Sequence, residues 1–132
     1  MAFVNLKGLD SVSEPKPVPE GTYTLRVVNV QTYTKEDTGR TVTKIVHEID
    51  GHPDAAPVTL FLVHPKEDDD PGQNQRRLLD FKRYLTLAGV PFDESGFTEE
   101  DLYGATFEAY LRLGEPDQNG TQYNEIRLPR LS

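Results

Sequence analysis

One stretch long enough to be a helix interrupts a chain otherwise written in strand residues, and its position limits the folds open to the sequence. From Arg76 to Ala88 apolar residues recur with a helical period. Leu78, Phe81, Leu85 and Ala88 fall on one face, widened by Leu79, Tyr84 and Leu87. Asp70-Pro71 predicts the start, an N-cap carboxylate followed by proline at the first helical position. Gly89, with Pro91 soon after, predicts the end. Arg76, Arg77, Lys82 and Arg83 lie mainly off the apolar face and read as a solvated side balanced by the acids before the helix. Thr98-Glu-Glu-Asp101 reads as a capping box opening one short turn, closed by Gly104.

Before the helix lie three strand-like segments, and after it two. Residues 22–33 are rich in β-branched and aromatic residues. Tyr23, Leu25 and Val27 alternate toward a core. Val28 and Val30 then shift the apolar phase, which predicts a bulge or a strongly coiled strand. A polar hairpin loop at 34–40 leads to a second strand at 41–50, and a Gly51-His52-Pro53-Asp54 turn to a third at 58–64. Residues 105–113 alternate cleanly, with Phe107, Ala109, Leu111 and Leu113 inward. Residues 121–128 form the last predicted strand, with Asn124, Ile126 and Leu128 on one side and Tyr123, Glu125 and Arg127 on the other.

The order β-β-β-α-β-β matches a mainly β, five-stranded, partly open Greek-key barrel with one helix between strands 3 and 4, the OB-fold. Leu78, Phe81 and Leu85 would plug its open end. An SH3-like barrel or another small α+β domain are the alternatives. Residues 1–20, with Pro15, Pro17 and Pro19 at alternate positions, read as an extended N-terminal arm. Residues 21–132 form the single domain. In the arm, Phe3, Val4 and Leu6 are positioned to dock on the domain or on a neighbouring subunit.

Composition excludes several classes. There is no cysteine, hence no disulfide framework and no thiolate metal site. No apolar run approaches the length of a membrane span. Residues 1–12 lack signal-peptide character, so the cytoplasm is the expected location. The net charge of −8 argues against binding nucleic acid by bulk charge. That acidity is local, however. Residues 67–70 and 93–101 hold nine of the 22 acids and no base, and the other 119 residues carry 13 acids against 14 bases.

Catalytic signatures are lacking. His47, His52 and His64 show no metalloprotease spacing, no serine sits in a nucleophile elbow, and no glycine-rich phosphate loop occurs. His64 beside Glu67 and Asp68 to Asp70 offers hard ligands for a divalent cation, but a solvated acidic loop capping a helix explains those residues equally. No enzyme activity, metal or cofactor is expected.

A binding surface is better supported. Unpaired nucleotides need aromatic platforms for bases and cations for phosphates. Outward-facing strand residues supply both: Tyr110 and Arg112, Tyr123 and Arg127, Arg26 and Lys44 with His47 near them, and Phe61 if its phase is outward. The first hairpin adds Tyr33, Lys35 and Arg40. Tyr and Arg on adjacent strands also stabilise a sheet simply as cross-strand pairs.

Five short runs carry a resemblance: Pro-Glu-Gly-Thr-Tyr at 19–23, Ile-Asp-Gly at 49–51, Leu-Ala-Gly-Val at 87–90, Glu-Asp-Leu-Tyr-Gly at 100–104 with Phe-Glu-Ala-Tyr-Leu following, and Tyr-Asn-Glu-Ile at 123–126. In this order the chain resembles small phage-encoded OB-fold single-stranded DNA-binding proteins from replication and recombination gene clusters, over residues 17–130. The resemblance implies sequence-tolerant binding of single-stranded DNA in the host-cell cytoplasm, with replication or recombination proteins as partners and self-association through the arm. The chain departs from such proteins in ending Arg127-Leu-Pro-Arg130-Leu-Ser132 rather than in an acidic tail. The competing reading is a protein-interaction or virion-associated β-barrel module. A metal-dependent nuclease is a distant third.

Overall fold

A computed structural model describes residues 1–131. Strands β1 (Gly21–Thr34), β2 (Thr41–Ile49) and β3 (Val58–Val63) precede helix α1 (Pro71–Ala88). A 3-10 turn, η1 (Glu99–Leu102), then leads to β4 (Thr106–Leu113) and β5 (Asn124–Ile126). All pairings are antiparallel, in the order β3-β2-β1-β4-β5. The outer strands β3 and β5 approach each other and nearly close the sheet. The result is the expected OB-fold-like barrel.

β1 holds the barrel together because it pairs on both sides. Its first half lies against β4, from Gly21 opposite Leu111 to Arg26 opposite Thr106. Its second half lies against β2, as far as Thr34 opposite Thr41. The register shifts between Val27 and Asn29, so Val28 is the extra residue anticipated from the apolar phase change. Leu25, Val27 and Val30 can therefore all point inward, while Val28 is left partly exposed.

The helix begins and ends as its caps dictate. Asp70 accepts a hydrogen bond from the Gln73 amide (3.2 Å), Pro71 opens the first turn, and Gly89 closes the last with φ 72°. Its buried face is Phe81, Tyr84, Leu85 and Ala88. Leu78, anticipated as part of the barrel plug, is instead 57% exposed. It lies a turn before Phe81, where the helix has already left the sheet, and Tyr84 takes the central place.

Tyr84 is fully buried and its hydroxyl lies 2.7 Å from His47 Nε2, while His47 Nδ1 lies 2.8 Å from the Val58 carbonyl oxygen. A carbonyl only accepts, so Nδ1 carries the proton and Nε2 accepts from the tyrosine. This corrects the outward placement of His47. Its phase is that of Ile45 and Ile49, and it bridges β2, β3 and α1 inside the barrel. Burial lowers the His47 pKa from 6.5 to about 4 and raises that of Tyr84.

A second polar line crosses the barrel end. His64 Nε2 lies 2.7 Å from Thr43 Oγ1, which lies 2.9 Å from Thr32 Oγ1, and Thr32 donates to Glu99 Oε2 at 2.8 Å. Thr32 has one hydroxyl proton and gives it to the carboxylate. Thr43 must then donate to Thr32, and His64 Nε2–H to Thr43. His64 is thus turned toward β2 and not toward the acids of 67–70.

Two local expectations are revised. Thr98 makes no side-chain cap, and its turn is held by backbone bonds such as Asp101 N to Thr98 O (3.0 Å). β5 is only three residues long, because residues 117–121 fold on themselves through the Asp117 carboxylate. The arm joins the barrel only near its end. Asn124 brackets Val18, accepting from its amide (2.8 Å) and donating to its carbonyl (2.9 Å), and Lys16 bridges to Ala55.

Candidate nucleic-acid interface

The outer face of the barrel carries the candidate residues, and register divides them into two groups. On β2, Lys44 stands between Gln31 of β1 and Phe61 of β3. Thr59, Phe61 and Val63 alternate with the inward Val58, Leu60 and Leu62, so the outward phase of Phe61 holds. Its ring is 54% exposed. Directly opposed outward residues have Cβ atoms about 5 Å apart. The ammonium of Lys44 is therefore within reach of anything lying on the Phe61 ring. Tyr33, half-buried, faces Val42 toward the end of β1 beside the hairpin loop that carries the exposed Lys35.

Phe61 also forms one side of a cleft of about 330 Å³ between β3 and α1, whose helical side is Gln73, Arg76, Arg77 and Asp80. Arg76 is the residue sequence reading missed as part of this surface. Gln73, Arg76 and Asp80 form a stripe at helical spacing. Only the docking of α1 beside β3 turns that stripe toward an exposed aromatic ring.

The second group lies on β4 and β5. The Arg127 guanidinium carbon sits 4.5 Å from the centroid of the half-buried Tyr110 ring, and Arg127 N donates to Tyr110 O at 2.9 Å. One face of that ring is thus already engaged in a cation–π contact. Arg112 is exposed opposite Glu125, and Tyr123 is 57% exposed. Tyr110 faces Thr22 and Lys44 faces Gln31, nine residues apart on β1. At about 3.3 Å per residue, the two groups are separated by roughly 30 Å of strand. Arg26 lies between them, in an ion pair with Glu48 at 2.8 Å.

Several cations are committed elsewhere. Arg40, offered by the first hairpin, donates through Nη2 to Asp69 Oδ1 (2.8 Å), and Arg77 donates to the same carboxylate. Arg40 first and Arg77 second hold the Asp69 pKa at about 2. The acidic 67–70 segment therefore neutralises two guanidiniums as well as capping α1. Among the described residues, Lys35, Lys44, Arg76, Arg112 and Arg127 have no acid within 4.0 Å. No group of three His, Asp or Glu side chains comes together among the described residues as a cation site would require. No described helix is long and apolar enough to cross a membrane.

No protein-family model matches this chain, and no curated protein matches it.

Proposed function

We propose that this protein binds single-stranded DNA, with little regard to sequence and without catalysis, in phage replication or recombination. One observation carries the reading. The exposed Phe61 ring on the barrel's outer face is flanked by two unpaired cations, Lys44 on β2 and Arg76 across the cleft on α1. A base stacked on such a ring contributes about 1–3 kcal/mol, and the flanking charges suit the phosphates on either side. Tyr33 and Lys35 extend this surface toward the hairpin. Tyr110, Arg112, Tyr123 and Arg127 form a separate contact region. One strand passing along β1 could reach both within the roughly 4–16 nucleotides that an OB domain covers.

Fluorescence anisotropy of a labelled oligo-dT tests this. Binding should be micromolar or tighter at low salt. Three to five phosphate contacts would give a log–log salt slope of roughly −2 to −3.5. Phe61→Ala and Lys44→Glu should each weaken binding about tenfold or more and leave the thermal midpoint nearly unchanged. Failure of the wild-type chain to bind at low salt would refute the reading. It would favour the protein-interaction alternative, for which the exposed arm residues Phe3, Val4 and Leu6 are the supporting observation.

A further inference from the structure

A second apolar surface lies away from the candidate interface. Leu78, Phe81, Phe92 and Phe97 wall an open cleft of about 700 Å³ between α1 and the loop that follows it, with Asp93 and Glu94 on its rim. Leu78 and Phe92 are 57% and 41% exposed, although both are large apolar side chains. Asp93 is engaged by its own loop, accepting from the amides of Ser95 (2.8 Å) and Gly96 (3.2 Å). Glu94 is left exposed beside the apolar wall.

The arm presents the complementary chemistry. Phe3, Val4, Leu6, Leu9 and Val12 are all more than half exposed, and Lys7 is the one charged side chain in residues 1–9. An apolar segment carrying one cation thus faces no partner, while an apolar cleft with an acidic rim stands empty of protein.

We infer that the arm of one copy docks in the α1-loop cleft of a second copy, with Leu6 and its neighbours on the Leu78–Phe92 wall and Lys7 near Glu94. Direction favours exchange over docking within one chain. The arm leaves the barrel at Lys16 and Val18, anchored beside Ala55 ahead of β3, whereas the cleft opens by His64 beyond the other end of β3. Pro15, Pro17 and Pro19 hold the exit in stiff, extended backbone. Fifteen residues extended from Val18 reach roughly 50 Å. A domain of this size is only about 35 Å across, so the arm outreaches its own barrel. Two arms exchanged reciprocally satisfy both clefts and close a two-fold dimer. This assembly uses none of the residues proposed for DNA.

Sedimentation velocity on the full chain without DNA, across a concentration series, tests the inference. The wild type should be a dimer. Leu6→Asp, in the arm, and Leu78→Asp, at an exposed helix position, should each raise the dimer dissociation constant about tenfold or more while keeping the wild-type circular dichroism melt. Lys7→Glu should weaken the dimer, and adding Glu94→Lys should restore it. A wild-type monomer throughout the series would overturn the inference. So would a dimer indifferent to both aspartate variants, or a charge swap without rescue.

Discussion

Acidification should unfold this protein through His47 before its carboxylates matter. The imidazole is fully buried between the Val58 carbonyl and the Tyr84 hydroxyl, and in the folded chain its pKa is lowered from 6.5 to about 4. Above pH 6.5 folded and unfolded chains both hold it neutral, and it contributes no pH dependence. Between 6.5 and 4 the unfolded chain binds a proton that the folded chain refuses, so stability falls with a slope approaching one proton. Below 4 the loss levels off at about 3 kcal/mol. That is a large part of the 5–15 kcal/mol typical of a domain. Burial shifts His64 in the same direction, so a control must isolate His47. Glutamine serves, because its amide can donate to Val58 and accept from Tyr84, and it does not titrate. Urea midpoints from pH 7.5 to 4.5 should show the wild type losing about 2–3 kcal/mol more than His47→Gln. The folded-state imidazole resonance should titrate near pH 4. Parallel curves for the two proteins, or a folded-state titration at 6.5 or above, would refute the reasoning. The Asp69 and Asp93 carboxylates, held low by Arg40 and Ser95, lose their stabilisation only as pH falls below about 4, beneath this window.

Three further outcomes follow from the same structure. Asn124→Ala removes both hydrogen bonds that bracket Val18 and should cost about 1–3 kcal/mol; hydrogen exchange should show residues 16–19 opening while β2 stays protected. Gly89→Ala forces a Cβ onto a residue with φ 72° and should destabilise α1 by about 1 kcal/mol, read from the urea midpoint. Asp69→Asn releases Arg40 and Arg77 from their shared carboxylate; oligo-dT affinity should rise and its salt dependence steepen by about one to two contacts, even as the thermal midpoint falls.

Features whose causes are local in the chain could be read from its residues. The ends of α1 depend on Asp70, Pro71 and Gly89, each acting within a few residues of itself. The bulge at Val28 is written in the apolar phase of residues 23–30, and the outward phase of Phe61, Tyr123 and Arg127 in simple alternation. Those signals, with their order along the chain, were enough to specify the barrel. Features that depend on distant partners could not be read in this way. His47 occupies a strand position consistent with either face until Tyr84 arrives 37 residues later to satisfy it. Arg40 and Arg26 look as available as Lys44 until folding sets Asp69 and Glu48 against them. Arg76 belongs to a solvated helix stripe until α1 lies beside β3. A side chain's polarity and its period are properties of a short window, whereas the fate of its charge is set by whichever opposite charge the tertiary fold brings within a few ångströms.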